Sequence, residues 1–293
     1  LPAAGVNLVG TAVGFRATAA PAEFAAATGA MRAAALYVSN WWFIRESTDY
    51  FGSDVAASPV AHYWSLSVEE QFYLAWPLLL GGLALAARRV GRHQRAVLTG
   101  LVVALGSASL VAALVTAVDQ PDRAYFGTDT RAYQLLAGAV LALVPSLVDR
   151  ARRLPGAERL LGGTAAVLAA GLVVLGTSLV AVGPVTRGVI AAALTCGLIV
   201  ALEAVRGGAA RRVLSLPAVS FLGRVSYGTY LWHWIVILVA QREYELGPLP
   251  TLAITVPVAT GLAVLSYVLL ERPIRLAPLL DRQRPLPPAL GQL

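Results

Sequence analysis

The chain has 293 residues, of which 57% are hydrophobic and only 13% are charged, and its formal net charge is +7 at pH 7. This composition is typical of an integral membrane protein and argues against a soluble globular protein. Every basic residue is an arginine, which excludes Schiff-base chemistry and a Walker-type phosphate loop because both need a lysine.

Long apolar runs predict an all-α fold, a multi-span helical bundle in the membrane, because each run can cross about 30 Å of hydrocarbon. Residues 1–15 are apolar but short, and we expect them to be part of a span. Residues 24–43 contain Arg32 and end near tryptophans, which favours a helix at the membrane surface. Seven complete spans are then predicted, at residues 67–87, 96–118, 132–148, 160–182, 187–205, 225–240 and 250–270.

Arginines cluster in every second connection between the predicted spans, and acidic residues occupy the alternate connections. The basic clusters lie at residues 88–95, 150–159, 206–224 and 272–284. The positive-inside rule places these loops in the cytoplasm and predicts a multi-pass protein of the cell membrane. Arginines spread over separate loops do not form one basic face, so no nucleic acid is expected as a partner. The all-arginine, alanine-rich composition indicates a bacterial source.

Two adjacent carboxylates, Glu69 and Glu70, lie at the start of the first complete span. An acid at hydrocarbon depth costs at least ~2.5 kcal/mol, so a functional role is the default hypothesis. Glu70 has a structural alternative, because Ser67 and Glu70 together match a helix-capping box. Glu69 shares a helical face with aromatic residues that include Tyr73, and we predict that this aromatic wall desolvates the carboxylate.

Arg131 lies at the start of a predicted span, where Asp129 or Thr130 is available as the helix cap. A cation at a helix N-terminus opposes the helix dipole, so a compensating contact is expected. We predict that Arg131 pairs with Glu69 or holds an anionic or carbonyl oxygen. The alternative is an arginine whose side chain extends to the lipid headgroups.

Two histidines are further candidates. His62 lies just before the carboxylates and either binds substrate or is an ordinary solvated loop histidine. His233 is predicted to lie deep in a span, where it either takes part in function or donates one structural hydrogen bond between helices. On the same span, Tyr227 has an interfacial alternative, and Gly228 permits close helix approach.

Sequence motifs of other enzyme classes are missing. The chain contains no Gly-x-Ser-x-Gly elbow, no His-Glu-x-x-His, no phosphate-binding glycine loop and no cluster of cysteines and histidines. Hydrolase and metalloenzyme mechanisms therefore lose support, and no metal site is predicted.

Four segments together resemble the acyltransferase type 3 family of integral membrane proteins. They are residues 62–73, 128–138, 222–233 and 266–273. The resemblance implies an O-acyltransferase that moves an acyl group, with acetyl favoured, from cytoplasmic acyl-CoA to a hydroxyl of an extracytoplasmic glycan or similar acceptor. No bound cofactor is implied, and acyl-CoA is a co-substrate. The implied partners are the lipid bilayer, acyl-CoA and the glycan, in a role of cell-envelope polysaccharide modification.

The resemblance gives roles to the candidate residues. Glu69 is expected to orient or charge-stabilise a histidine base, and Arg131 is expected to steady developing oxyanion charge. With Glu70 they form the predicted catalytic set. The predicted substrate-binding set consists of His62, Trp64, Ser65, Tyr73, Tyr227 and His233.

The chain departs from the family pattern at its N-terminus. The resemblance implies that residues 1–281 form the family's transmembrane domain without its first two spans, and that the histidine base lies in the missing segment. We therefore expect this chain alone to be inactive, with residues 282–293 a disordered cytoplasmic tail. A transporter or flippase is one alternative, since intramembrane ionisable residues also build substrate pathways. A truncated, inactive membrane remnant or scaffold is the other.

Overall fold

A computed structural model of the chain describes residues 2–46, 58–205 and 207–276, and the secondary structure of these residues is helical throughout. The prediction of an all-α fold is confirmed. The helices are α1 (Pro2–Thr18), α2 (Pro21–Ala35), α3 (Ser39–Arg45), α4 (Tyr63–Ala87), α5 (Gln94–Asp119), α6 (Pro121–Phe126), α7 (Thr128–Leu143), α8 (Ser146–Arg152), α9 (Ala157–Leu175), α10 (Pro184–Ala204), α11 (Ala209–Leu214), α12 (Pro217–Tyr244), α13 (Pro248–Ser266) and α14 (Arg272–Arg275).

Four helical stretches among the described residues are long and apolar enough to cross a membrane: α5, α9, α10 and Pro248–Ile274. A fifth candidate consists of Pro121–Leu143 and Ser146–Arg152, which are bent by 67°. The predicted count of seven spans is therefore not confirmed. The predicted spans on α4 and α12 are not among the four, because polar side chains such as Glu70 and His233 lie within their apolar sequence.

The region predicted as one surface helix, residues 24–43, belongs to two helices, α2 and α3. Tyr37 lies between them with φ of 53°, a left-handed conformation that a right-handed helix cannot contain. The break is therefore a backbone feature. The predicted tail, residues 282–293, lies outside the described residues.

The described residues pack as two units, and the first contains residues 2–35, 58–62 and 221–276. Within it α12 contacts both α1 and α13. The side chain of Asn7 donates a hydrogen bond to the Leu231 carbonyl (3.1 Å). A Cβ added at Gly228 would lie 2.9 Å from the Cβ of Ala263, so only glycine permits this approach of α12 to α13. The predicted packing role of Gly228 is confirmed.

The second unit contains residues 36–46, 63–205 and 207–220. Here α5 packs along α7, and α9 packs along α10 over a small apolar core that includes Leu161, Ala165 and Ala201. The buried Ser109 hydroxyl on α5 accepts a hydrogen bond from the backbone N–H of Tyr133 (2.9 Å). This contact fixes the first turns of α7 against α5.

Candidate active site

The helix that carries the two carboxylates begins earlier than predicted. Because α4 begins at Tyr63, Ser67 lies one turn inside the helix and donates its hydroxyl to the Tyr63 carbonyl (3.0 Å). The Ser67 and Ser39 hydroxyl oxygens are 2.8 Å apart, and the Ser39 N–H donates to Ser67 (3.2 Å). The predicted capping box of Ser67 and Glu70 is therefore wrong, and Ser67 instead joins α3 to α4.

Glu69 and Glu70 occupy different environments on α4. Glu69 is exposed at the protein surface, whereas Glu70 is half-buried. Tyr73, one turn after Glu69, is also exposed, and the rings of Phe72 and Trp76 stack on each other at 5.3 Å between centroids. Glu69 is exposed as a whole residue, yet desolvation is the main cause that raises the pKa of its carboxylate, with a smaller contribution from the charge of Glu70. The predicted desolvation of Glu69 is therefore supported.

Arg131 is the fourth residue of α7, and its guanidinium is fixed by three contacts within the second unit. Its Nε donates a hydrogen bond to the Tyr125 carbonyl (2.8 Å). Its guanidinium carbon lies 4.4 Å from the Tyr125 ring centroid and 5.1 Å from that of Trp64. Of the predicted compensating contacts, the one with a carbonyl oxygen is confirmed, and no ion pair within 4 Å to Glu69 is found among the described residues. The carbonyl and the two aromatic faces contribute to compensating the cation.

The start of α7 also differs from the prediction. The helix begins at Thr128 after Gly127, and no side chain caps it. The Asp129 carboxylate is held by two bonds from Arg123 (2.8 and 2.9 Å), and the Thr130 hydroxyl donates to the Gly127 carbonyl (3.0 Å). Both predicted caps are therefore engaged elsewhere.

Gln71, which was not predicted as a site residue, connects three segments of the second unit. Its Nε2 donates to the Tyr37 carbonyl (2.7 Å) and to Asn40 Oδ1 (3.0 Å). Its Oε1 accepts from Trp41 Nε1 (3.1 Å) and Thr128 Oγ1 (2.5 Å). The side chain thus ties α3 and α4 to the start of the helix that carries the arginine. The available signals were its position beside the two carboxylates and its place in the segment 62–73 that carries the family resemblance.

A pocket of about 520 Å³ lies beside Arg131 in the second unit, and Gln134, Arg187 and Gly188 also line it. Gly188 is buried, and a Cβ added there would lie 2.3 Å from Gln134 Nε2 and 2.6 Å from the Tyr133 hydroxyl. Only glycine therefore permits these polar side chains to approach α10.

The two candidate histidines lie together in the first unit. The His62 and His233 ring centroids are 5.6 Å apart, and the Tyr230 hydroxyl donates to the His62 carbonyl (2.8 Å). His62 is only 5% exposed, so the alternative of a solvated loop histidine is wrong. Desolvation, with a smaller contribution from the charge of His233, lowers the pKa of His62 to about 3. His62 is therefore neutral at physiological pH.

The hydrogen bond of His233 assigns its tautomer. Nδ1 contacts the Tyr230 carbonyl, which can only accept, so Nδ1 carries the proton of the neutral ring and Nε2 is the acceptor. No hydrogen bond from the described residues engages Nε2. This bond lies within α12, and no hydrogen bond from His233 to another helix is found among the described residues.

His233 also lines a largely apolar pocket of about 450 Å³ in the first unit, together with Thr255 and Gln241. The Thr255 hydroxyl oxygen is buried and has no hydrogen-bond partner among the described residues. The pocket therefore combines an apolar wall with a proton-accepting nitrogen and a hydroxyl.

The remaining predicted residues divide between the two units. Trp64 is buried against Arg131, and Ser65 is half-buried in the first turn of α4. Tyr227 is half-buried on α12 in the first unit. Across the part of the chain that the structure describes, no group of three or more His, Cys, Asp or Glu residues could hold a metal ion.

The fold combines helices long and apolar enough to cross a membrane with clusters of polar side chains. A family model described as an acyltransferase domain matches residues 30–271. The chain belongs to this acyltransferase family, and the resemblance stated from the four sequence segments is confirmed.

Curated bacterial proteins are similar to the chain. YrhL from Bacillus subtilis (strain 168) is 35% identical over 247 residues, which cover 82% of this chain and 38% of YrhL. O-acetyltransferase OatA from Staphylococcus aureus (strain NCTC 8325 / PS 47) is 31% identical over 254 residues, 83% of this chain and 40% of OatA. Peptidoglycan O-acetyltransferase OatA from Listeria monocytogenes is 32% identical over 246 residues, 82% of this chain and 39% of that protein.

The chain thus spans about two fifths of the length of these relatives. No solved structure matches the chain. The apolar helices and the bacterial relatives together indicate a bacterial membrane protein.

Proposed function

We propose that the protein is a multi-pass membrane O-acetyltransferase that moves an acetyl group from cytoplasmic acetyl-CoA to a hydroxyl of an extracytoplasmic glycan. The observation that carries this proposal is the similarity, over four fifths of the chain, to relatives named O-acetyltransferase. One of these relatives is named a peptidoglycan O-acetyltransferase, which makes peptidoglycan the first acceptor to test.

The transfer itself sets the chemistry that the site must supply. A base takes the proton of the acceptor hydroxyl, the oxygen bonds to the acyl carbon, the carbon–sulfur bond breaks, and CoA leaves as a thiol. Negative charge develops on the acyl oxygen on the way. In this proposal Arg131, held against Trp64 and Tyr125, stabilises that charge. Glu69 and Glu70 orient the base, and the exposure of Glu69 supports access to substrate.

The first unit supplies substrate contacts in the same proposal. His233 offers Nε2 to the wall of the 450 Å³ pocket, and the buried His62 packs against its ring. Tyr227 lies on the same helix. In the second unit, Trp64, Ser65 and Tyr73 belong to the first turns of α4 and complete the predicted substrate-binding set.

The test measures acetyl transfer by the full-length protein in membranes. Radiolabelled acetyl-CoA is supplied on the cytoplasmic side, and acceptor-dependent CoA release and O-acetylated glycan are measured together. Glu69→Gln is expected to remove transfer, whereas Glu243→Gln, at another exposed acid, is expected to retain it. Retained activity in Glu69→Gln would refute the role of Glu69. If substrate crosses the membrane without CoA release, the protein is a transporter and the proposal is wrong.

A further inference from the structure

Positive charge is concentrated around the 520 Å³ pocket of the second unit. Arg131 and Arg187 both line it, Gln134 adds an amide, and none of the lining residues is acidic. Arg131 is the fourth residue of α7, and Arg187 is the fourth residue of α10. The positive ends of two helix dipoles therefore add to the two guanidinium charges.

Arg187 is held in place but keeps hydrogen-bonding capacity. It donates through NH1 to the carbonyls of Leu175 and Thr177 and through NH2 to that of Val180. A guanidinium has five N–H groups, so Nε and one NH2 hydrogen are not engaged by the described residues. Arg187 forms no ion pair with the described residues either. Its charge is therefore not neutralised by a carboxylate of this part of the chain.

Arg131 reaches the same pocket from α7. Its Nε bond to Tyr125 and its contact with the Trp64 ring fix the plane of the guanidinium. Its NH1 lies 3.4 Å from the position that a Cβ on Gly188 would take. Because Gly188 has no side chain, the guanidinium edge can approach the α10 side of the pocket.

We propose that this pocket binds an oxyanion, a carboxylate or a phosphate, that is carried by the acceptor. Two guanidinium groups and an amide are the donors that recognise such oxyanions. The arginine-rich loops predict that the starts of α7 and α10 face outward, which assigns the pocket to the acceptor rather than to acyl-CoA.

This inference rests on the proposed function, because the acceptor is the substrate of that reaction, but binding can be measured without turnover. Replacing Arg187 would also release the three carbonyls that it holds, so a gentler variant is needed. Ala191 lines the pocket one helical turn after Arg187. Ala191→Glu therefore brings a carboxylate into the pocket, and Ala191→Gln is its matched, uncharged control.

The probes differ mainly in their charge. Calorimetry on the purified full-length protein compares N-acetylmuramic acid, which has a carboxylate, N-acetylglucosamine 1-phosphate, and neutral N-acetylglucosamine. The wild type is expected to bind an acidic sugar about tenfold or more tightly than the neutral one, equivalent to about 1.4 kcal/mol. Ala191→Gln is expected to keep this ratio of dissociation constants, and Ala191→Glu is expected to abolish it. The tighter of the two acidic sugars identifies the carboxylate or the phosphate as the recognised group.

Two results would overturn the inference: equal affinity of the wild type for all three sugars, or loss of the preference to the same extent in both variants. Failure of the proposed function looks different, because the charge preference would persist without any acetyl transfer. Conversely, acetyl transfer without a charge preference would leave the proposed function intact and remove only this oxyanion site.

Discussion

The two units hold their candidate functional groups in opposite ways. In the second unit, a backbone carbonyl and aromatic faces stabilise the cation of Arg131. In the first unit, His62 is kept neutral by burial, and His233 is fixed by one bond to a carbonyl of its own helix. The first arrangement suits a group that stabilises developing negative charge, and the second suits a group that accepts a proton.

The largest expected effect comes from replacing Arg131, the cation of the second unit. Arg131→Lys removes the planar guanidinium, its Nε bond to Tyr125 and most of the contact with Trp64. We expect the rate of acetyl transfer to fall by about 10²–10³-fold, the usual cost of losing one oxyanion donor. The measurement is kcat for acceptor-dependent CoA release in membranes.

Arg123→Lys is the control for this substitution. Arg123 also lies over an aromatic ring, that of Trp41 at 5.0 Å, but it is paired with Asp129. We expect this variant to keep most of its activity. The Arg123 guanidinium pairs with Asp129 at the start of α7 and does not line the 520 Å³ pocket. Equal losses in both variants would mean that Arg131 is only structural.

The role of His233 in the first unit is tested by His233→Asn. The asparagine amide can replace Nδ1 as donor to the Tyr230 carbonyl, but nothing replaces Nε2. Losing one buried hydrogen bond to substrate costs about 1–3 kcal/mol, so we expect a ten- to hundredfold lower kcat/KM. Unchanged kcat/KM, with unchanged thermal stability, would remove His233 from the substrate-binding set.

In the first unit, the close contact between α12 and α13 at Gly228 and Ala263 can be tested by measuring stability. In Gly228→Ala the new methyl group meets Ala263 at 2.9 Å, whereas in Gly223→Ala, on the same helix, nothing lies within 4 Å. We expect Gly228→Ala to destabilise the protein by about 1–3 kcal/mol through overpacking, and Gly223→Ala to leave stability unchanged. Thermal unfolding in detergent checks both, and equal melting temperatures would contradict the packing argument.

The effect that is smallest near neutral pH is a pH dependence of stability that belongs to the first unit. Because burial depresses the pKa of His62 to about 3, the folded protein keeps this ring neutral while the unfolded chain protonates near pH 6.5. Stability is then full above the unfolded pKa and falls as pH drops toward 3, by at most about 1.4 kcal/mol per pH unit. Replacing His62 by asparagine is expected to flatten this slope.

His93 provides the matched control for the pH measurement, since it is exposed in the turn between α4 and α5. His93→Asn is expected to keep the slope of the wild type. A slope that survives in the His62 variant and disappears in the His93 variant would contradict the assignment.

The sequence predicted the helical fold, the position of Arg131 in the first turn of a helix, and the close approach at Gly228, because each depends on local pattern. It did not predict how Glu69 and Arg131 are paired, since side-chain neighbours across helices depend on packing. Gln71 was missed because an amide with four long-range bonds has the same sequence signal as any other glutamine. The span count failed where polar residues share helices with apolar ones.

The Ser39 and Ser67 hydroxyl contact has a consequence for α3. This helix has only seven residues, and an isolated helix shorter than about 12–15 residues is barely stable in water. Its folding must therefore depend on its neighbours, which are α4 and, through Asn40, the Phe126 carbonyl and Thr128 Oγ1. Displacement of the first turns of α4 should therefore loosen it. The rate of amide hydrogen exchange along α3 would therefore report motion of α4, the helix that carries the two carboxylates, during turnover.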